Sequence, residues 1–238
     1  MKCLVYCILR DADAPHDGLP AGVDGNTVSL LRDDGLAGVF SVVDDVGNVP
    51  ELSRAQAYES VIETLHRTCT VLPMRYGCLL PTEAHLKKLL SERRTEFLGS
   101  LDQVQGCVEM SLHVTLGAPD GAMPDDESDE GFAQSPGVVH LARLTRRYAQ
   151  LDTATRTARA VVERCRTAFD GLFVKWKAEY PSLANPLSPG RTLRLFFLVK
   201  REDQRAFHGA FRNLVFCTSE SGRLTGPWPP HNFVQPEQ

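Results

Sequence analysis

At 238 residues, with 42% hydrophobic and 24% charged side chains, the chain has the makeup of a folded globular protein and excludes disordered or collagen-like classes. Its formal charge is -4, yet Asp120, Asp125, Asp126, Glu127, Asp129 and Glu130 crowd one short stretch. Without those six acids the rest is nearly neutral, which excludes a dedicated nucleic-acid binder.

The chain opens on an apolar run, Cys3 to Leu9, too short for a secretion signal or a membrane span and read as a buried strand. A Gly/Pro/Asp-rich connection leads to a β-like piece at Thr27–Leu31, and Asp33-Asp34-Gly35 turns into a strand over Leu36–Val43. Ser53 with Gln56 forms a capping box, and Tyr58, Val61, Ile62, Leu65 and Cys69 then recur at helical spacing. Val71–Leu80, broken by Pro73 and Gly77, reads as an edge or bulged strand. Pro81-Thr82 starts a second helix whose apolar stripe runs from Leu86 to Leu101. From Val108 to Leu116 apolar residues alternate with Glu109, Ser111, His113 and Thr115, the period of a strand with one wet face. This order predicts an α+β sandwich with helices on one face of a mainly antiparallel sheet.

Residues 117–137 hold the acid cluster and read as an acidic flexible linker or loop. An EF-hand starting at Asp126 fails there, because Gly137 stands where the bidentate carboxylate is needed. Leu141, Leu144, Tyr148, Leu151, Thr155, Ala158, Val162, Cys165, Phe169, Leu172 and Trp176 then form a heptad seam. Its polar and small members make a poor coiled coil, so packing within the chain is favoured over a partner helix. A strand at Leu193–Val199, a helix at Glu202–Leu214 and a strand at Val215–Leu224 complete a second, smaller α+β unit. The three prolines of Gly226–Phe233 predict an extended tail outside any ladder. The domain expectation is thus 1–116, a linker over 117–137, and 138–238.

Seven cysteines (Cys3, Cys7, Cys69, Cys78, Cys107, Cys165, Cys217) are an odd number without a C-x-x-C pair, which points to free thiols in a reducing cytoplasm. The signatures of P-loops, dinucleotide folds, nucleophile elbows and zinc peptidases are missing. His66, Cys69, Cys78 and His85 come nearest to a metal set, but Cys69 belongs to an apolar helical stripe. No catalytic, cofactor or metal residue is therefore assigned.

Two stretches carry a specific signal: Val71-Leu72-Pro73-Met74-Arg75-Tyr76-Gly77, and Leu224-Thr225-Gly226-Pro227-Trp228-Pro229-Pro230-His231-Asn232-Phe233-Val234. Together with the strands at Leu4-Val5-Tyr6, Leu36–Val43 and Gly106–Val114, they resemble the gas vesicle protein F/L family over nearly the whole chain. Cys78 and the long acidic loop depart from its usual pattern. The resemblance implies a ferredoxin-like N-terminal domain and a smaller α+β C-terminal domain containing the long helix. It also implies a non-enzymatic, cytoplasmic, vesicle-associated accessory protein without cofactor. The implied partners are the hydrophobic shell protein and other accessory proteins, with no nucleic acid or membrane lipid; the chain would act as an assembly helper or a minor vesicle constituent. An enzyme or an oligomerisation module on a ferredoxin-like scaffold is the alternative reading.

Candidate contact residues are Met74, Arg75 and Tyr76 on the edge strand, where a client strand can add, and Trp228 and Phe233 in the tail. The alternative for Trp228 and Phe233 is that they pin the C-terminus onto the protein itself. Arg75 either reaches a client carboxylate or pairs internally with Glu59 or Glu109.

Overall fold

The computed structural model describes residues 1–15, 18–44, 52–117, 136–180 and 191–234; near the start of the helix that begins at 136, many side chains are outside that description. The chain forms two compact units. Met1–Met110, Leu198–Glu202 and Gly226–Gln238 make the first, and Ser111–Phe197 with Asp203–Thr225 make the second. The acidic stretch, with its six carboxylates and the rejected EF-hand, lies outside the described residues, as does nearly all of the expected linker over 117–137.

The first unit is built on β1 (Lys2–Arg10), whose central residues Cys3–Leu9 are all buried, as a continuous apolar run requires. It pairs antiparallel with β3 (Leu36–Val43), which pairs in turn with β2 (Val28–Asp33). The register slips between Val5 and Cys7, so the bulge falls at Tyr6. On the other side β1 pairs with β4 (Val71–Pro73) and β5 (Leu79–Leu80), two short pieces in place of one bulged strand. The sheet order is β2-β3-β1-β4.

Helix α1 (Leu52–His66) buries Tyr58, Val61, Ile62 and Leu65 in one cluster with Ala37, Val39 and Val43. Ser53 lies inside this helix, so the capping box does not mark its start. The second predicted helix is two, α2 (Glu83–Glu92) and α3 (Arg94–Val104), broken at Arg93 where φ is -107° and ψ 20°. The break lets α2 lie against β2 and β3 while α3 crosses β1 and β4. At Gly38 an added Cβ would sit 3.1 Å from the Leu86 methyls. Its neighbours Ala37 and Val39 pack in the α1 cluster, so helices cover both faces of the sheet, not one.

The second sheet has the order β7-β8-β6-β9, from β6 (Cys107–Leu116), β7 (Lys175–Glu179), β8 (Arg191–Lys200) and β9 (Glu220–Trp228). Helix α4 (Pro136–Ala168) joins β6 to β7, and α5 (Gln204–Asn213) joins β8 to β9. This is the β-α-β-β-α-β order of a split βαβ pair. The N-terminal sheet has a matching strand order, but among the described residues only two three-residue 3-10 turns separate β1 from β2. The βαββαβ element order is thus seen over residues 107–228, and among the described residues the N-terminal sheet has no helix between its first two strands.

The heptad seam ends early. Asp170-Gly171, with Gly171 at φ +75°, stops α4, and Trp176 stands on β7 instead of a helix. Among the described side chains of α4 the buried face is Ala158, Val161, Val162 and Cys165, wider than a two-residue seam and suited to a sheet. Beyond it Phe169 stacks on Phe207 of α5 at 4.2 Å, and both meet Phe197 of β8. The prolines also do less than expected. β9 runs through Pro227 to Trp228, tolerated because β9 is an edge strand and needs no donor on its open side.

Candidate partner-binding site

All five candidate residues belong to the first unit. Met74, Arg75 and Tyr76 occupy the turn between β4 and β5, where the Met74 amide donates to the Tyr6 carbonyl (2.8 Å) and the Cys78 carbonyl accepts from Val5 (2.9 Å). The turn is therefore laced to β1 at both ends. Arg75 and Gly77 are exposed, and Met74, Tyr76 and Cys78 are half-buried.

Tyr58 supports this turn from within. Its hydroxyl donates to the Val5 carbonyl at 2.7 Å and lies 3.0 Å from the Met74 carbonyl and 3.3 Å from that of Arg75. Its ring meets Tyr76 edge-on at 5.1 Å and Tyr6 at 5.0 Å. Burial pushes the Tyr58 phenol far above its ordinary pKa, so it stays a donor. Tyr6 continues the network: its hydroxyl donates to Ser41 Oγ (3.0 Å) and accepts from the Val23 amide (3.0 Å).

The tail is fixed by carboxylates. Glu109, expected on the wet face of β6, is 3% exposed and accepts from both the backbone amide and the side-chain amide of Asn232, at 2.8 and 2.7 Å. Ser111, expected beside it on that face, is buried as well. His231 Nε2 lies 3.2 Å from Glu59 Oε2. At Gly226, φ is +116° and an added Cβ would come within 2.7 Å of the Glu109 carbonyl oxygen, so only glycine fits. Phe233 is buried at 9% exposure, whereas Trp228 remains 40% exposed. Consecutive residues of α1, Tyr58 and Glu59, thus hold the two motif stretches, one the turn and the other the tail.

Beside them His66 is buried, and Arg201 donates to its backbone carbonyl and stands 3.3 Å from its ring nitrogens. Burial first, then Arg201 and His231, lower its pKa to about 4, which keeps the ring neutral. The other members of the weighed metal set have their own contacts: Cys69 Sγ donates to the Asp13 carbonyl (3.0 Å) and His85 Nδ1 meets Thr82 Oγ1 (2.8 Å). Among the described residues no three His, Cys, Asp or Glu side chains gather as a metal site. All seven cysteines are free thiols. No helix among the described residues is long and apolar enough to cross a membrane.

From sequence Glu109 was weighed only as a partner for Arg75; its pairing with Asn232 and the His66–Arg201 contact were not singled out. The only local hint was a carboxylate in the middle of an apolar strand; its partner lies 123 positions away.

Comparison with known proteins agrees along the whole chain. The family model described as gas vesicle synthesis protein GvpL/GvpF matches residues 2–235. Gas vesicle protein L of Streptomyces sp. (strain CB03234) is 26% identical over 97% of this chain and 91% of its own. Gas vesicle protein F of the same strain is 26% identical over 99% and 100%, and gas vesicle protein L2 of Halobacterium salinarum is 24% identical over 97% and 90%. The crystal structure of GvpF from Anabaena sp. PCC7120 superposes with a TM-score of 0.77 at 17% identity, covering 100% of this chain and 97% of that one. GvpF from Microcystis aeruginosa gives 0.75 at 16%, covering 98% and 99%. At such identities the two structures establish the shared mixed α/β fold.

Proposed function

The chain belongs to the gas vesicle synthesis protein GvpL/GvpF family, and from that premise we propose that it is a non-enzymatic accessory protein that binds the hydrophobic shell protein during vesicle assembly in the cytoplasm. Met74, Arg75 and Tyr76 form the contact, with Trp228 beside the docked tail as a second anchor. The observation that carries this reading is the convergence of both motif stretches on Tyr58 and Glu59 of α1. A turn held rigidly at a sheet edge has already lost most of the entropy that binding would otherwise remove. A shell subunit destined to face gas exposes apolar surface until it is assembled, and such surface needs a partner with half-buried apolar side chains like Met74 and Tyr76. Phe233, being buried, supports the tail's own seat; it is assigned no direct contact.

The test is capture of purified shell subunit by the full chain and by Arg75→Ala, Met74→Asp and Trp228→Ser, each checked for an unchanged melting temperature. Capture reduced about tenfold or more in the folded Met74 and Arg75 variants is expected. Full capture by folded variants overturns the recognition role.

A further inference from the structure

In the second unit one face of the sheet is apolar and buried, through Leu112, Val114 and Leu116 of β6 and Leu193, Leu195 and Phe197 of β8. Side chains alternate along a strand, so the residues between them point the opposite way. That opposite face holds a groove of about 480 Å³ lined by His113 and Thr115 of β6, Thr192 of β8, and Ser221, Arg223 and Thr225 of β9.

Arg194 shares the Thr192 side of β8 and lies 3.6 Å from Glu179 of β7. Lys175 and Lys177 alternate with Trp176 and so share the side of Glu179. Two arginines, Arg194 and Arg223, thus stand on this face, and among the described residues Glu179 is the carboxylate that pairs with Arg194. Among the described residues, Arg223 has no carboxylate partner, and it is exposed. The positive field reaches His113, whose pKa is lowered by burial first and then by Arg194 and Arg223.

We propose that this groove binds an acidic segment of a partner protein, with side-chain carboxylates seated between Arg194 and Arg223. Arginine forks match carboxylates in two-point geometry, and the hydroxyls of Thr115 and Ser221 offer further donors around them. A protein segment is favoured over a nucleic acid for two reasons. No Phe, Tyr or Trp lines the groove among the described residues, which leaves bases only the His113 ring to stack on. Glu179, 3.6 Å from Arg194, also repels a continuous phosphate backbone, whereas spaced carboxylates can avoid it. This surface is independent of the edge-turn contact with the shell protein.

The experiment titrates the full chain with a fluorescent decaglutamate peptide at low salt, alongside a fluorescent oligothymidylate and vesicles containing phosphatidylglycerol. Arg194→Glu/Arg223→Glu is compared with Lys87→Glu/Lys88→Glu, the same charge change on α2, after circular dichroism establishes that both are folded. The expected result is binding of the peptide, weakened about tenfold or more by the groove pair and little changed by the α2 pair. Absence of peptide binding, equal weakening by both pairs, or tighter binding of the oligonucleotide or the vesicles overturns the proposal.

Discussion

Asn232 presents both its backbone and its side-chain amide to the single buried carboxylate of Glu109, at 2.8 and 2.7 Å, across 123 positions of sequence. Two donors converging on one ionised acceptor outweigh an ordinary surface contact, because hydrogen bonds to a charged group are worth more and the carboxylate has no water to fall back on. The C-terminal segment is thereby tied into the first unit.

Replacing Glu109 with Ala leaves the Asn232 amide without its acceptor. A loss of about 2–3 kcal/mol is expected from the urea midpoint, with faster amide exchange at Asn232. Unchanged exchange at Asn232 would show that the tail is seated by other contacts.

Tyr58→Phe removes a buried hydroxyl and strands the carbonyls of Val5 and Met74 that surround it. The expected cost is about 1–2 kcal/mol at constant denaturant slope. Exchange should rise at the Met74 and Cys78 amides, which close the turn, and stay unchanged in α5.

His66 gives the stability a pH dependence whose sign follows from its neutral state. Its pKa is lowered to about 4 in the fold, against about 6.5 when unfolded. Between those values the unfolded chain binds the extra proton. The stabilisation is therefore complete above pH of about 6.5 and is lost as the pH falls toward about 4, by up to roughly 3 kcal/mol. His66→Gln should flatten that part of the profile of urea midpoint against pH. An unchanged slope in the variant would assign it to other groups.

Local pattern made many elements legible. Cys3–Leu9 is buried because an unbroken apolar run has no wet face to offer, and Tyr58, Val61, Ile62 and Leu65 are buried because their spacing puts them on one side of a helix. The same reasoning failed where a third body intervened. Period two predicted that Glu109 and Ser111 face water, and both are buried. Period three to four carried a helix through Leu172 and Trp176, yet a positive-φ glycine ends it and the chain becomes a strand.

For the candidate site, sequence marked Met74–Tyr76 and the tail as distinctive stretches without relating them. That relation needs Tyr58 and Glu59, side chains whose spacing says only which face of α1 they occupy.

The sequence alone determined the α+β class, most strand and helix positions and, through two separated motifs, the family, because all of these are written in neighbouring residues. Tertiary structure decided what no window of sequence contains: which sheet carries the βαββαβ order, which carboxylate holds the tail, and which strand faces turn into a basic groove. Each depends on pairings between residues tens to more than a hundred positions apart, and burial at such a contact overrides the local period.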